Sequence, residues 1–210
     1  MREFAAMVGR AHYLVPLILS VVLLFGARAQ AAPDAAYSLS GQLLVATSSL
    51  DDPNFAHTVV YLVQHDQEGA IGLVINRVIA TGPLSELLEG FGMAPDNGTQ
   101  AQIRVHYGGP VEQGEAFILH SSDYRTSDTV LLEDGVALST SLDVLRDIAE
   151  GRGPKHSLFA LGYAGWGEGQ LETELAQGAW EVVPADEALL FDQQVETKWQ
   201  RAQDSRGRDL

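Results

Sequence analysis

Short apolar runs separated by turn residues dominate the chain after residue 40. Leu43–Ala46 is apolar throughout, and Thr58–Gln64 is rich in β-branched and aromatic residues, as strands are. A polar turn over His65–Gly69 then leads to a second apolar run, Ala70–Asn76. Because two strand-like runs are joined by a short connection that contains glycine, the pattern predicts a β-hairpin.

Similar patterns predict further strands along the chain. Thr129–Glu133 and Val136–Ser139 flank Asp134-Gly135, a dipeptide typical of hairpin turns because both residues tolerate positive φ. Four other runs are predicted as strands: Ile103–Tyr107, Ala116–His120, Ser157–Leu161 and Trp180–Val183.

Helices are predicted where apolar residues recur every three or four positions. One such segment lies between Pro83 and Gly92, and Ser141 caps a second, which runs to about Glu150. Strands in mixed order with helices outside them predict an α+β fold. The remaining predicted helices are Gln170 to about Gln177, a short helix opened by Pro184-Ala185-Asp186, and Val195–Ala202.

A glycine-rich stretch precedes the predicted helix at Gln170. Glycine permits positive φ and close backbone approach, so the stretch predicts a tightly shaped turn that packs Trp166. A phosphate-binding loop is disfavoured because the stretch matches neither GxxxxGK[ST] nor GxGxxG, and because three nearby glutamates would repel a phosphate. The glycines are Gly162, Gly165, Gly167 and Gly169, and the glutamates are Glu168, Glu172 and Glu174.

The first 31 residues resemble an export signal. Arg2 and Arg10 precede the apolar run Leu14–Phe25, and Ala29-Gln30-Ala31 matches an A-x-A cleavage site. An apolar run of this length is shorter than the roughly 18–20 residues that span a bilayer, so no transmembrane span is expected in the mature chain. An uncleaved anchor, a misplaced start codon and a disordered tail remain open alternatives.

The rest of the chain is predicted to form one domain. Residues 32–40 read as a linker, 41–202 as a single α+β domain and 203–210 as a polar tail. No Pro/Gly/Ser-rich segment divides the region between the linker and the tail, and we find no internal repeat there.

The charge of the chain is strongly acidic. The whole chain has 13 Lys and Arg against 28 Asp and Glu, a net charge of −15, and the residues after 31 have 10 against 27. Such a surface repels nucleic-acid backbones, so we expect no direct nucleic-acid binding. The absence of cysteine from the sequence excludes disulfides, thiolate chemistry and cysteine-ligated metals.

Several segments in a fixed order identify a family resemblance: the chain resembles the AlgH/YqgE family of bacterial proteins. The resemblance covers about Ser40 to Trp199, and it depends on the combination of segments rather than on any one of them. These segments are Gly41–Ala46, Asp52–Phe55, Thr58–Tyr61, Glu68–Arg77, Gly108–Val111, Leu119–Ser121, Leu161–Trp166, Gly169–Glu172 and Ala179-Trp180.

The resemblance implies a compact α+β domain whose mixed, strongly curved β-sheet forms a pseudo-barrel with peripheral helices. It also implies a protein linked by name to transcriptional control of alginate production, with no agreed catalytic residues or cofactor. Family members begin close to the Gly41-Gln42 segment and look cytoplasmic, whereas this chain has a signal-like leader. Two locations follow: periplasmic or exported if the leader is genuine, and cytoplasmic if the family pattern holds.

Two sets of residues contain the side-chain types that chemical sites use. His120-Ser121-Ser122-Asp123 contains the residue types of a catalytic triad, but neighbours at a strand end point in different directions and no G-x-S-x-G motif is present. We interpret it as a strand end followed by a polar loop, and we predict no catalytic residues. Five histidines after the leader lie on separate segments, so no metal site is predicted: His57, His65, His106, His120 and His156.

Arg77 is the most informative candidate for binding, because guanidinium groups suit carboxylates and phosphates. A structural ion pair with one of the many acids is the alternative. The predicted groove is bordered by Asn76-Arg77, the Gly108-Gly109-Pro110 turn and the Gly162–Gly169 turn; its candidate ligand-binding residues are Asn76, Arg77, Gly108, Gly109, Gly165 and Trp166.

The function that these observations favour is a non-enzymatic binding or regulatory protein, which acts through a small ligand or a protein partner and needs no cofactor. The first alternative is a hydrolase assembled from His120, Ser121, Glu68 and Asn76. The second is a structural, envelope-associated protein, which requires a genuine leader. Asn97-Gly98-Thr99 fits a glycosylation sequence but is interpreted as a turn.

Overall fold

A computed structural model describes residues 38–93 and 100–205. The predicted leader, residues 32–37 of the linker, Asn97-Gly98-Thr99 and residues 206–210 of the tail lie outside this described part. Its strands are β1 (Leu43–Ala46), β2 (Val59–Asp66), β3 (Gly69–Val74), β4 (Val78–Pro83), β5 (Gln102–Tyr107), β6 (Val111–Ser121), β7 (Val130–Leu131), β8 (Val136–Ser139), β9 (Ser157–Gly167) and β10 (Trp180–Val183). Its helices are α1 (Leu84–Gly90), α2 (Asp143–Ala149), α3 (Gln170–Ala176), α4 (Glu187–Phe191) and α5 (Val195–Ser205).

The ten described strands form one strongly curved sheet, a half-barrel with the helices at its periphery. The strand order is β10-β1-β2-β3-β9-β6-β8-β7, and β5 joins β4 to β9. The pairing of β5 with β9 is parallel, whereas the other pairings in the described residues are antiparallel. The predicted α+β class and the curved sheet are therefore confirmed.

Strand β9 is the centre of this arrangement. Its first half lies between β5 and β6, and its second half pairs with β3. Gly108 connects these strands, because its nitrogen donates to the Leu161 carbonyl at 2.8 Å and its carbonyl accepts from the Val74 nitrogen at 2.8 Å. A β-carbon at Gly108 would lie 2.1 Å from the carbonyl oxygen of Gly162, so only glycine allows this approach.

Buried apolar side chains form three clusters. The largest joins β1, β2 and β3 to β6, β8, β9, α4 and α5. The second lies between the sheet and helices α1 and α2, and the third surrounds Trp166 and Trp180. Burial of apolar surface, worth about 25 cal/mol per Å², is the main force that holds the helices on the sheet.

The glycine-rich stretch is the clearest error of the sequence interpretation. We predicted a turn over Gly162–Gly169, but β9 continues to Gly167 and only Glu168 and Gly169 form the turn before α3. The glycines instead let the strand bend and lie close to its neighbours: Gly162 has φ +73°, and a β-carbon on it would lie 2.7 Å from the Gly109 carbonyl oxygen.

Other boundaries also differ from the predictions. Strand β4 was not predicted, because Val78–Pro83 contains Gly82 and Pro83 and shows no clear alternation. Strand β6 begins at Val111 rather than Ala116, and the predicted Thr129–Glu133 strand is reduced to β7. Helix α5 continues to Ser205, three residues into the predicted tail.

The two predicted hairpins are confirmed. β2 pairs with β3 in antiparallel register, and β7 pairs with β8. Asp134 and Gly135 have φ values of +52° and +78°, as their turn requires. Within residues 38–93 and 100–205, no helix is long and apolar enough to cross a membrane.

Candidate functional site

A cavity of about 390 Å³ opens where β5 and β9 begin. Because these two strands are parallel, their first residues lie at the same edge of the sheet. We call this space the β5–β9 cavity. Its wall contains polar and charged residues from β5, from the residues that lead into β9 and from the segment after α4. Eight apolar residues complete the wall: Leu84, Ile103, Ile118, Leu145, Ile148, Leu158, Phe159 and Phe191.

Arg104 is held at the wall of the cavity by the segment after α4. Its Nη1 donates to the carbonyl oxygen of Gln193 at 2.6 Å. The neighbouring carboxylate of Asp192 accepts from Arg201 and from the backbone nitrogen of Gln194. Burial of Asp192 acts to raise its pKa, but these hydrogen bonds prevail and hold the pKa below its usual value. Asp192 is therefore an ionised group that already has a cationic partner.

His106 also lies in the wall of the cavity, two residues after Arg104 on β5. Burial lowers the pKa of His106 from 6.5 to about 4, so the ring is neutral at pH 7. Its Nδ1 lies 3.1 Å from the carbonyl oxygen of Phe159 and donates to it in the neutral form. The opposite ring nitrogen, Nε2, is then an acceptor.

Two further basic side chains belong to the loop before β9. Lys155 and His156 line the cavity and are both exposed. The His156 ring stacks on Phe191, with centroids 5.8 Å apart and planes 20° apart. The exposed Lys155 and the stacked rings of His156 and Phe191 therefore form one part of the cavity wall.

Lys198 is a buried cation near the cavity. It is fully buried on α5, and its Nζ donates to the carbonyl oxygen of Leu190 at 2.9 Å. Burial lowers the pKa of Lys198 to about 8, which still leaves it mainly protonated at pH 7. Its charge is close enough to His106 to help lower the pKa of that ring.

Asn76 and Arg77 of the predicted groove contact the loop before β2. The Asn76 amide accepts from the Val59 nitrogen at 2.8 Å and donates to the His57 carbonyl at 2.9 Å. Arg77 donates to the carbonyl oxygens of Pro53, Asn54 and Ala56 at 3.0–3.2 Å. The structural alternative for Arg77 was an ion pair with an acid. Its described hydrogen-bond partners are backbone carbonyls instead, and its guanidinium carbon lies 5.6 Å from the centre of the Tyr107 ring.

The other predicted groove residues also contact the protein itself. Gly108 and Gly109 lie against the middle of β9, and Gly165 pairs with Ile71 on β3. Trp166 is 6% exposed, and its Nε1 donates to Glu174 at 2.9 Å. None of the six predicted binding residues lines the β5–β9 cavity, and a ligand-binding role for them stays a prediction.

The residues of the hydrolase alternative make separate sets of contacts. His120 is fully buried; its Nε2 lies 3.1 Å from the Ser139 hydroxyl and its Nδ1 lies 2.9 Å from the Ser121 carbonyl oxygen. The Ser121 hydroxyl donates to Asp123 at 2.5 Å and accepts from the His156 nitrogen at 3.1 Å. Glu68 lies on the exposed turn between β2 and β3. The described hydrogen bonds thus do not join these side chains to one another or to Asn76.

Metal ligands are not gathered in the described part of the chain. Among residues 38–93 and 100–205, no group of three or more His, Asp or Glu side chains is arranged to hold a metal ion. The histidines are divided among different contacts: His65 pairs with Glu172, His57 packs on Trp199, and His106 bonds the Phe159 carbonyl.

Sequence reasoning missed the residues of the β5–β9 cavity. A signal was present, because Gln102, Arg104 and His106 alternate with apolar residues along a predicted strand and share one face. Lys155-His156 directly precedes another predicted strand. What the pattern could not show is that these two strands are parallel neighbours.

Comparisons with known proteins agree on one family. Residues 43–210 match the family model described as AlgH-like. A UPF0301 protein of Methylococcus capsulatus is 45% identical over 170 residues, which cover 81% of this chain and 92% of that protein. The solution structure of the AlgH protein from Pseudomonas aeruginosa is similar with a TM-score of 0.70 at 43% identity, over 86% of this chain and 93% of that one. A crystal structure from Corynebacterium diphtheriae, at 19% identity and a TM-score of 0.61 over 85% of this chain and 90% of that one, shares the fold.

Proposed function

The chain belongs to the AlgH-like family of uncharacterised proteins, and from that premise we propose that it is a non-enzymatic binding or regulatory protein acting through a small ligand. The observation that carries the proposal is the β5–β9 cavity. Its volume of about 390 Å³ falls within the range of roughly 300–1,000 Å³ that is usual for small-molecule sites. Its exposed wall is more polar than apolar, which suits a polar or charged small ligand.

The arrangement of the reactive side chains favours binding over catalysis. A hydrolase needs a nucleophile and a base within hydrogen-bond reach, facing a space that a substrate can enter. Among the described residues, the histidine and serine whose side chains are hydrogen-bonded to each other are His120 and Ser139, and both are buried, with 0% and 1% exposure. A substrate therefore has no access to that pair.

The charge of the chain supports action through a small ligand or a protein partner rather than through direct DNA contact. A net charge of −15 repels the phosphate backbone of DNA. The envelope-associated alternative depends on the leader, which lies outside the described residues, and it stays a prediction.

The proposal is tested by screening a panel of metabolites with the purified protein, using amide NMR spectra to detect binding and product analysis to detect turnover. We expect at least one compound to bind without being converted and to shift amide signals of β5, the start of β9 and Phe191–Gln193. Ser157→Trp places a large ring on the cavity wall and should reduce affinity at least tenfold.

Val182→Trp is the matched control, because Val182 is an exposed strand position that does not line the cavity. Its affinity should equal that of the natural protein. Turnover of any compound on the panel would overturn the non-enzymatic assignment. If Ser157→Trp weakens the binding of no compound on the panel, the cavity is not the binding site.

A further inference from the structure

The distribution of charge in the β5–β9 cavity is opposite to that of the rest of the chain. After residue 31, acidic residues outnumber Lys and Arg by 27 to 10. In the wall of the cavity, the two cations Arg104 and Lys155 stand against one acid, Asp192. A local reversal of charge inside a concave site concentrates ligands of the opposite sign, which here are anions.

Asp192 does little to oppose an anion in the cavity. Its carboxylate is paired with Arg201 and accepts the Gln194 nitrogen, so its charge is balanced from outside the wall. Lys198 adds a further positive charge within interaction range of Asp192 and Arg104. The balance of charge around the cavity is therefore positive at pH 7.

Arg104 retains donors for a ligand. A guanidinium group has five N–H donors in a planar fork, and in the described part of the chain its one hydrogen bond is the one from Nη1 to Gln193. That bond holds the group at the wall, which reduces the entropy that a ligand must remove. A fixed guanidinium suits the paired oxygens of a carboxylate or a phosphate.

The apolar part of the wall constrains the remainder of the ligand. Leu84 from α1, Leu145 and Ile148 from α2, and Ile118 and Phe159 from the sheet face the same space. Leu84, Leu145, Ile118 and Phe159 are at most 2% exposed and form the packed floor of the cavity. Ile148, together with Ile103 of β5, is half-buried and keeps apolar surface that a ligand can cover. A fully hydrated inorganic ion would leave this part of the cavity unused.

We propose that the β5–β9 cavity binds a small organic anion, with a carboxylate or phosphate group on Arg104 and Lys155 and an apolar body against Ile103 and Ile148. The inference rests on the proposed function, since it names the class of ligand for the same cavity. It excludes cations and neutral apolar molecules as the preferred occupants.

The test compares four probes with the same six-carbon chain: hexyl phosphate, hexanoate, hexanol and hexylamine. Inorganic phosphate is the fifth probe, and binding is measured by NMR titration and calorimetry. We expect at least one of the two organic anions to bind at least tenfold more tightly than hexanol and than inorganic phosphate. Hexylamine should show no saturable binding. The ratio of the affinities for hexyl phosphate and for hexanoate identifies which anionic group the site prefers.

Variants connect the preference to named side chains. Arg104→Gln should weaken the preferred anion at least tenfold and Lys155→Gln about threefold, since Lys155 is exposed, while hexanol is unaffected. Arg104→Lys keeps the charge but not the fork, so its affinity should be intermediate. Arg125→Gln is the matched control: it removes one exposed positive charge outside the cavity and should change nothing.

The outcomes separate the two proposals. If hexanol binds in the cavity as tightly as the anions and Arg104→Gln has no effect, the inference about the ligand is wrong and the proposed function stands. If no probe and no metabolite of the wider panel shifts the amide signals of the cavity, both are wrong. If Arg125→Gln weakens anion binding as much as Arg104→Gln does, the effect of charge is nonspecific and the inference is also wrong.

Discussion

The backbone of Gly109 lies directly against the peptide group that joins Tyr163 to Ala164. A β-carbon at Gly109 would be 2.1 Å from the carbonyl carbon of Tyr163 and 2.3 Å from the nitrogen of Ala164. Contacts of that length with backbone atoms cannot be relieved by a side-chain rotation. The turn that directly follows β5 therefore approaches the middle of β9 as closely as it does because residue 109 has no side chain.

We expect Gly109→Ala to lower the free energy of unfolding by at least about 2 kcal/mol, because the two strands must move apart. Gly114→Ala is the control: a β-carbon at Gly114 would meet no atom within 4 Å. Urea denaturation of the two variants gives the comparison. Equal stabilities would show that the close approach of β5 to β9 is not required.

Arg77 fixes the loop before β2 by donating to three carbonyl oxygens, those of Pro53, Asn54 and Ala56. A lysine cannot span three acceptors with a planar fork. Arg77→Lys should therefore cost about 1–2 kcal/mol of stability and increase hydrogen exchange at Phe55 and Ala56. Arg125→Lys serves as the control at an exposed site. An exchange profile of Arg77→Lys that is identical to that of the natural protein would contradict the prediction.

Glu174 accepts hydrogen bonds from two indole nitrogens, those of Trp166 at 2.9 Å and Trp180 at 2.7 Å, and from Gln170 at 2.8 Å. Glutamine has one acceptor oxygen and an NH₂ group, so Glu174→Gln leaves one donor facing another. We expect a loss of about 1–2 kcal/mol and a change in tryptophan emission. Glu168→Gln, on the adjacent exposed turn, should alter neither quantity; if it did, the effect would not be specific to the indoles.

His106 should make the fold sensitive to acid. Burial lowers its pKa from 6.5 to about 4, so between these values the unfolded chain binds a proton that the folded chain does not. Stability is therefore lost as the pH falls from 6.5 towards 4, by on the order of 2 kcal/mol at pH 4.5.

The comparison of pH 7 with pH 4.5 by urea denaturation measures this contribution of His106. His106→Asn removes the titrating ring while keeping a donor near the Phe159 carbonyl, so it should lose less stability on acidification than the natural protein. His156→Asn, at an exposed position, should behave like the natural protein. An acid response of His106→Asn equal to that of the natural protein would refute the assignment.

Tyr61 carries a buried hydroxyl that has no hydrogen-bond partner among the described residues. Burial raises its pKa well above the usual value, with further increases from Asp134 and Glu133. Because the hydroxyl is desolvated without compensation, Tyr61→Phe should be neutral or stabilising by up to about 1 kcal/mol. Tyr107→Phe, which loses a hydrogen bond to Asn54, should instead be destabilising. The same denaturation measurement covers both, and a destabilised Tyr61→Phe would reveal a partner for the hydroxyl.

Local signals predicted the elements that depend on neighbours in sequence. The hairpin at Asp134-Gly135 followed from the φ angles that its turn needs. Asp186 caps the N-terminus of α4, because its side chain accepts from the Ala188 nitrogen at 2.8 Å. The glycine-rich stretch misled because glycine marks both turns and close backbone approaches. The contact of Gly109 with Tyr163 shows that this stretch is a place of close backbone approach, which the sequence alone does not distinguish from a turn.

The sequence by itself determined the fold class, the hairpins, most helices and the acidity, because these follow from composition and from periodicity within short segments. The resemblance to a family came separately, from several motif segments in a fixed order. Only the tertiary structure decided that β5 and β9 are parallel neighbours, and hence that Arg104 and Lys155 line one cavity. It also decided that Arg77 is occupied by backbone carbonyls of the loop before β2. The physical reason is that strand pairing and side-chain hydrogen bonds join residues far apart in the chain, and no local pattern encodes their partners.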